Sequence, residues 1–514
     1  MEIDEPSLGH SKLFKNCGKN FDSVRRDRIS QTIELRKDKR DEMLRKRRNE
    51  PLLLPDKFDR AIITSIDHVA KLVQECASSN RDVAYQAVFN LRLHLSSKHE
   101  LYLDKLLELN IVDILVPHLV NGETADVKYN AAWALTNIAS GDSQHTSFLL
   151  KESVIMALGS LLCDANPSLV EQSIWALANI IGDGPVPREF VLRSNILSIL
   201  NQPLNQHYNS IPVMKQLSWM LINICRRKDV DVPIEYVPQI IPILDVLISH
   251  KDENILGDVL WSITHLADSS SNHVSLLIAS GIVDKVYKFL GVSQKLTLST
   301  LRVLGNIAAS VDEHTQYLLD HGIFVHLQPL LNTTNQKLKK EIYWVLSNFA
   351  AGTRPQMLTL FSLNIFPQII QDLEEGEYAV RREACWVISN VVHGSTYQEV
   401  QPFVESKVLY FMKNFLETRD PPMIVVVLEV VLILLRLYSA HNNQEYMCQK
   451  IEESGVLDCI ENLQTSSHKS IRLFAIHILE NHFAEDQDQD VEEEEITYNY
   501  DQTGLSNAPN KYDF

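Results

Sequence analysis

All six tryptophans of this 514-residue chain occupy one position of one recurring phrase. The phrase reads NAAWALTNIAS from Asn130, QSIWALANIIG from Gln172, QLSWMLINICR from Gln216 and DVLWSITHLAD from Asp258. It continues as STLRVLGNIAA from Ser299, EIYWVLSNFAA from Glu341 and EACWVISNVVH from Glu383. The fourth position is Trp133, Trp175, Trp219, Trp261, Arg302, Trp344 and Trp386. The eighth is Asn137, Asn179, Asn223, His265, Asn306, Asn348 and Asn390. Successive fourth positions lie 42, 44, 42, 41, 42 and 42 residues apart. A unit of this length cannot bury its apolar face alone, so it must stack on its neighbours. Gly (17) and Pro (19) are scarce, which favours long helices and short connections.

A second phrase recurs about 20 residues before each fourth position: NIVDILVPHL from Asn110, GIVDKVYKFL from Gly281, GIFVHLQPLL from Gly322 and GVLDCIENLQ from Gly455. Its apolar spacing is helical, and a Gly or polar turn precedes it. Each unit thus holds two long helices, with a short helix ahead of them. Three helices per 42 residues or so is the armadillo pattern. Weaker units flank the clear seven: about Ile66 to Ser97, with Phe89 at the Trp position, then about Gln401 to Ala440 and Glu452 to Phe483. The expected fold is all-α, a right-handed superhelical solenoid of about ten repeats over residues 61–484.

Trp and Asn four residues apart share one helix face. Stacked helices 8–10 Å apart would set a ladder of indoles beside a ladder of amides. An extended peptide rises about 3.3 Å per residue, so its alternate side chains could fall between successive indoles. Asn could clamp a peptide backbone with its donor and acceptor, and Lys or Arg stems could pack on indole faces. A tryptophan on a helix is usually core, and an Asn here can instead bond a neighbouring repeat's backbone. Six Trp in one register beside a polar residue favour exposure. Asp183, four residues after Asn179, and Glu171, Asp258 and Glu383 near their tryptophans add negative sign. Singly each is a solvated helix-end charge; together they predict a groove for cations.

Charge is unevenly placed. From Lys12 to Arg48 there are fourteen Lys/Arg against six Asp/Glu, whereas the whole chain carries −18. A basic arm (residues 1–60) therefore precedes an acidic body. The arm has no Gly or Pro from Val24 to Arg48 and too few apolar residues for a core, so it is expected to fold only on a partner. Residues 485–514 form an acidic C-terminal tail whose run EDQDQDVEEEE reads as solvated.

These features resemble the importin α family, over nearly the whole chain. The resemblance rests on the Trp-x-x-x-Asn series, the GDGP run after Ile181, and the arm ELRKDKRDEMLRKRRNE. It implies a nuclear import adaptor that binds Lys/Arg-rich nuclear localisation signals. The major site would comprise Trp133, Asn137, Trp175, Asn179, Trp219 and Asn223, with Asp183 holding the key lysine, helped by Gly141, Thr146 and Gln172. The minor site would comprise Asn306, Trp344, Asn348, Trp386 and Asn390 with Glu383. Arg302 and His265 would separate the two. The arm would bind importin β through Arg25, Arg26, Arg28, Arg36, Lys37, Lys39 and Arg40. Its end, Lys46, Arg47, Arg48 and Asn49, itself resembles a localisation signal and could occupy the major site in cis. The resemblance also implies a nuclear export receptor with Ran-GTP at the last repeats, and shuttling between cytoplasm and nucleus.

Other classes are disfavoured. There is no G-x-x-x-x-G-K-[ST], H-E-x-x-H or G-x-S-x-G, and no G-x-G-x-x-G after a strand, so no enzyme and no cofactor is expected. The seven Cys include no C-x-x-C pair, which suits a reducing compartment. The longest apolar run, Met423 to Tyr438, is broken by Glu429 and Arg436, so no membrane insertion is expected; nor does the N-terminus show the apolar core of a signal peptide. An acidic body repels phosphates, so direct nucleic-acid binding is not expected. A catenin-like armadillo scaffold is the alternative that shares the fold, but it would present a basic groove.

Overall fold

The computed structural model of the chain describes residues 65–96, 102–226 and 230–483. The arm and the tail, with every arm residue named above, lie outside them. Every regular element among the described residues is helical. Among the described residues, contacts divide the chain near residue 350, with those up to 349 in one unit and those from 350 to 483 in the other.

Each repeat has one long helix, and in seven of the ten it carries the recurring phrase. These helices are α1 (Arg81–Leu95), α2 (Ala125–Ala139), α3 (Pro167–Gly182), α4 (Ile211–Cys225), α5 (Glu253–Ala267), α6 (Gln294–Ala308) and α7 (Gln336–Ala350) in the first unit. The second unit holds α8 (Tyr378–Gly394), α9 (Pro421–Ser439) and α10 (Lys469–His482). Helices α1 to α6 pack each on the next, as do α8, α9 and α10. Side-chain caps start several of them: Asn80 accepts from Asp82 N at 3.1 Å, and Asp252 accepts from Asn254 N at 2.9 Å. Such caps satisfy backbone N–H groups that the helix leaves open.

Two shorter helices precede most long ones, as in Arg354–Ser362 and Phe366–Glu375 before α8. The joint between them is recurrent. Asn110, Asn195, Gly281, Gly322, Asn364 and Gly455 all have φ between 52° and 72°. Only Gly, and less readily Asn, takes this left-handed backbone cheaply. The Gly or polar turn read in the sequence is therefore a conformational requirement.

The helix expected after Gly281 differs. Two 3₁₀ turns, Val283–Lys285 and Tyr287–Phe289, replace it. Val283, Val286 and Phe289 are all buried, and a spacing of three fits three residues per turn. After Gly322 a short helix, Ile323–Leu327, gives way to a 3₁₀ turn containing Pro329, which lacks the N–H an α-helix needs.

Helix α9 alone among the described helices is long and apolar enough to cross a membrane. Its packing answers for its composition. Met423, Val427, Leu428, Val430, Val431 and Leu435 are fully buried, and it lies against α8, α10 and the helices Val408–Leu416 and Gln444–Glu453. None of the six described cysteines is in a disulfide.

A Cβ at Gly281 would meet nothing within 4 Å, so substitution there tests the backbone alone. Gly281→Ala is expected to cost about 1 kcal/mol and Gly281→Asn clearly less, read as thermal melting shifts. Equal shifts would remove the left-handed requirement as the reason for these residues.

Candidate functional site

The eighth-position asparagines are oriented before any ligand arrives. Asn179 Nδ2 donates to the Thr136 carbonyl at 3.3 Å, and Asn223 Nδ2 to that of Ala178 at 3.0 Å. Asn306 Nδ2 donates to Thr264 O at 3.1 Å, and Asn348 Nδ2 to Gly305 O at 3.0 Å. Each acceptor is the seventh position of the phrase on the preceding long helix. The carbonyl spends one lone pair on its own helix and the other on the amide. The inter-repeat role weighed for Asn is therefore real, and it fixes each amide plane. The Oδ1 of Asn179 is buried and has no hydrogen-bond partner, an arrangement that costs free energy unless something fills it.

The tryptophans are less uniform than the sequence indicated. Trp133, Trp175, Trp261 and Trp386 are half-buried. Trp219 and Trp344 are only 2% and 4% exposed. The reason lies in the preceding repeat. Trp175 and Trp219 meet edge to face at 6.4 Å. Trp344 lies over Gly305 of α6, where any Cβ would overlap its ring. Gly305 was not singled out in the sequence, although it stands where Thr136, Ala178 and Thr264 stand in other repeats.

Asp183 caps the end of α3 and is 8% exposed. Ser143 Oγ donates to its Oδ1 at 3.1 Å, which ties it to the turn that carries Gly141 and Thr146. Thr146 is fully buried, with its hydroxyl on Asp142 O at 3.1 Å. A Cβ at Gly141 would press on His145 Nδ1 at 2.6 Å. Gln172, 4% exposed, donates to Thr136 Oγ1 at 2.6 Å, so its amide holds α3 against α2. The turn is built from the residues between the rungs, and Asp183 adds the negative charge.

Acidic groups recur along the same helices. Ser218 Oγ donates to Asp258 Oδ2 at 3.0 Å. Arg302 lies over the Trp261 ring at 5.1 Å and pairs with Glu341 at 3.3 Å. Glu341 is 1% exposed, and the sequence reading missed it. His265 is fully buried. The residues assigned to the minor site divide between the units: Asn306, Trp344 and Asn348 in the first, Glu383, Trp386 and Asn390 in the second. Glu383 and Asn390 are 7% and 9% exposed.

Burial pushes the Glu171 carboxyl on α3 above the usual glutamate range, opposed by a hydrogen bond from Gln216. A raised carboxyl pKa favours the fold at low pH, and that advantage is lost as pH rises through the raised value. Glu171→Gln should therefore flatten the stability profile just above the ordinary glutamate value of 4.5 and leave the protein at least as stable at neutral pH, by chemical denaturation. A less stable variant at pH 7 would mean that the ionised carboxylate is held by a favourable partner.

Comparison with known proteins agrees with this architecture. The importin beta binding domain family matches residues 10–89. Armadillo/beta-catenin-like repeats match residues 103–140, and the atypical Arm repeat matches 445–497. Importin subunit alpha-2 of Arabidopsis thaliana is 33% identical over 482 residues, covering 90% of each chain. Importin subunit alpha-1b of Oryza sativa subsp. japonica is 32% identical, covering 83% of this chain and 81% of its own. An engineered protein of known crystal structure superposes with a TM-score of 0.68 at 20% identity, over 81% of this chain and 99% of its own. That likeness shows the fold.

Proposed function

The chain belongs to the importin α family of nuclear import adaptors, and we propose that it binds Lys/Arg-rich localisation signals along its Trp/Asn rungs and passes them to importin β through its basic arm. The observation that carries this is the set of asparagine amides locked by the preceding helix, beside indoles and under a buried aspartate. An extended backbone needs donors and acceptors at a regular pitch, and a cationic side chain needs an aromatic face and a carboxylate. The rungs supply all of these without reading the cargo's exact sequence.

In this reading Trp175, Asn179, Trp219 and Asn223 form the centre of the major site, flanked by Trp133 and Asn137. Asp183 takes the ammonium of one lysine, with the Gly141–Thr146 turn and Gln172 shaping its surroundings. Asn306, Trp344 and Asn348 serve a second basic cluster, and Glu383, Trp386 and Asn390 make a rung of the same type in the second unit. Arg302, paired with Glu341 over Trp261, places a cation of the chain itself between them. A contact of the last repeats with an export receptor and Ran-GTP, and shuttling between cytoplasm and nucleus, belong to the same reading.

Trp175→Ala is expected to weaken a Lys-rich peptide by about 2–4 kcal/mol, measured by fluorescence anisotropy. Asn179→Ala should cost stability as well, about 1 kcal/mol for the bond to Thr136. Asp183→Lys should abolish binding of a one-cluster signal while a two-cluster signal keeps part of its affinity. Unchanged peptide affinity in Trp175→Ala and Asp183→Lys would refute the groove.

The arm adds a switch. A flexible linker of 15–20 residues, the length of chain from Asn49 to Ile66, would span roughly 20–25 Å and would present Lys46, Arg47, Arg48 and Asn49, which lie outside the described residues, at about millimolar concentration. A cis ligand with an intrinsic constant near ~10 μM would cut apparent cargo affinity about 100-fold. Importin β and cargo would then bind with positive coupling of about 2–3 kcal/mol. Deleting residues 1–60, or changing Lys46, Arg47 and Arg48 to Ala, should tighten cargo binding by a similar factor. Equal affinities for all three proteins would leave the arm as a receptor handle only.

A further inference from the structure

Asp183 sits in a closed circuit of contacts that begins at Arg188. This arginine lies on the helix Pro185–Arg193, which follows Asp183 and Gly184, and it is only 3% exposed. Its fork is spent on backbone. Nη1 donates to Arg226 O at 2.7 Å and to Ile224 O at 3.4 Å, and Nη2 donates to Val230 O at 2.8 Å and to Asp231 O at 2.9 Å. Nε is buried with no hydrogen-bond partner. Burial pushes the Arg188 pKa down, and the carbonyl dipoles offset part of the cost of holding a charge away from water. The acceptors lie on both sides of residues 227–229, so one side chain ties the end of α4 to the chain that follows it.

The circuit returns to Asp183 through Arg226. Arg226 is the first residue past α4 and is 7% exposed, and its Nη2 donates to Gly182 O at 2.8 Å. Gly182 ends α3, so its carbonyl is one that the helix leaves open, and a cation suits that end of the helix dipole. A Cβ at Gly182 would come within 3.1 Å of Asn223 Nδ2, so glycine keeps open the approach of α4. A peptide unit is planar and includes the Cα of both residues it joins. Arg226 holds the oxygen of the unit that joins Gly182 to Asp183, and Asp183 N donates to Ile180 O at 3.2 Å. The plane that carries the Asp183 Cα is therefore held at both edges, while Ser143 Oγ steadies the carboxylate at 3.1 Å.

We propose that Arg188 is a positioning residue for the cation site: by clamping the chain on either side of residues 227–229 it places the Arg226 guanidinium on Gly182 O, and that bond sets where the Asp183 carboxylate stands. The inference rests on the reading that Asp183 takes a ligand ammonium. The ligand class is a Lys-rich extended segment. A charge-assisted contact is strong only when it is short and well aligned, so a carboxylate whose peptide plane is free to rock loses much of its value. Arg188 touches no ligand and acts through two other residues. Lysine cannot replace it, because an ammonium is a compact point charge and lacks the planar fork that spans these carbonyls.

The test is a double-mutant cycle between Arg188→Lys and Asp183→Asn, read with a labelled Lys-rich peptide. It is run in the full chain carrying Lys46→Ala, Arg47→Ala and Arg48→Ala, so that the arm does not compete for the same site. Arg188→Lys keeps the charge, so a change in affinity reports position and not field. With Asp183 present it should weaken the peptide about 5–10-fold, and with Asp183→Asn less than about 2-fold, because residues that act through one another are not additive. A general loosening of the stack would give equal losses in both backgrounds, and that result, or no loss in either, would overturn the proposal. Asp183→Asn alone is the control: if it leaves the peptide unweakened, the groove reading itself has failed. Should Arg188→Lys melt much earlier than the parent, Arg226→Lys is read in its place against the same outcomes, since it breaks the circuit at Gly182 and also keeps the charge.

Discussion

An asparagine side chain that reaches back to the carbonyl of the preceding helix is the interaction on which this array turns. It occurs at Asn179, Asn223, Asn306 and Asn348, at 3.0–3.3 Å each time. Each bond contributes modestly, about 1 kcal/mol. Its geometric effect is larger. It fixes the rotation of each long helix against the one before and holds the amide plane still. A binding group that is already immobile loses little entropy when a ligand arrives. The same contact therefore builds the stack and prepares its surface, and mutation of these residues must move stability and recognition together.

The pattern lapses at one repeat. His265, fully buried, stands where an amide is expected, and the cation of Arg302 where an indole is expected. Arg302 is not a loose substitution: it stacks on Trp261 and pairs with the nearly inaccessible Glu341. A buried carboxylate needs such a partner. The degenerate first repeat uses the same chemistry: the Arg92 guanidinium carbon lies 4.5 Å from the centre of the Trp133 ring. Basic side chains of the chain itself thus occupy positions that resemble those offered to a ligand.

Much of this was legible in the sequence. The period gave the repeats, the left-handed Gly and Asn positions gave the joints, and the Trp/Asn register gave the candidate surface. Exposure was not legible. Trp219 and Trp344 are buried for reasons that lie one repeat away, in the edge of Trp175 and in the missing Cβ of Gly305. Sequence periodicity reports which face a residue shares, whereas burial depends on the volume of what stands opposite. The 3₁₀ turns at Val283–Phe289 were hidden for a related reason: an apolar spacing of three fits an α-helical stripe as well as a tighter turn. Arg92 escaped notice because its repeat lacks the Trp/Asn pair that marked the others.

The spacing between rungs carries one more lesson. From Trp175 to Trp219 the chain takes 44 residues, and from Trp261 to Arg302 only 41. Yet the amide of each later rung finds the same carbonyl one helix back at nearly the same distance. Alignment is thus written in the side chains and not counted out along the backbone. The connections absorb the difference, as at Pro185–Gln206, where three short helices stand in place of the usual pair. A molecule built this way can change the length of its loops over evolutionary time without losing the pitch of its rungs, so its outer surface is free to diversify while its inner ruler stays in step.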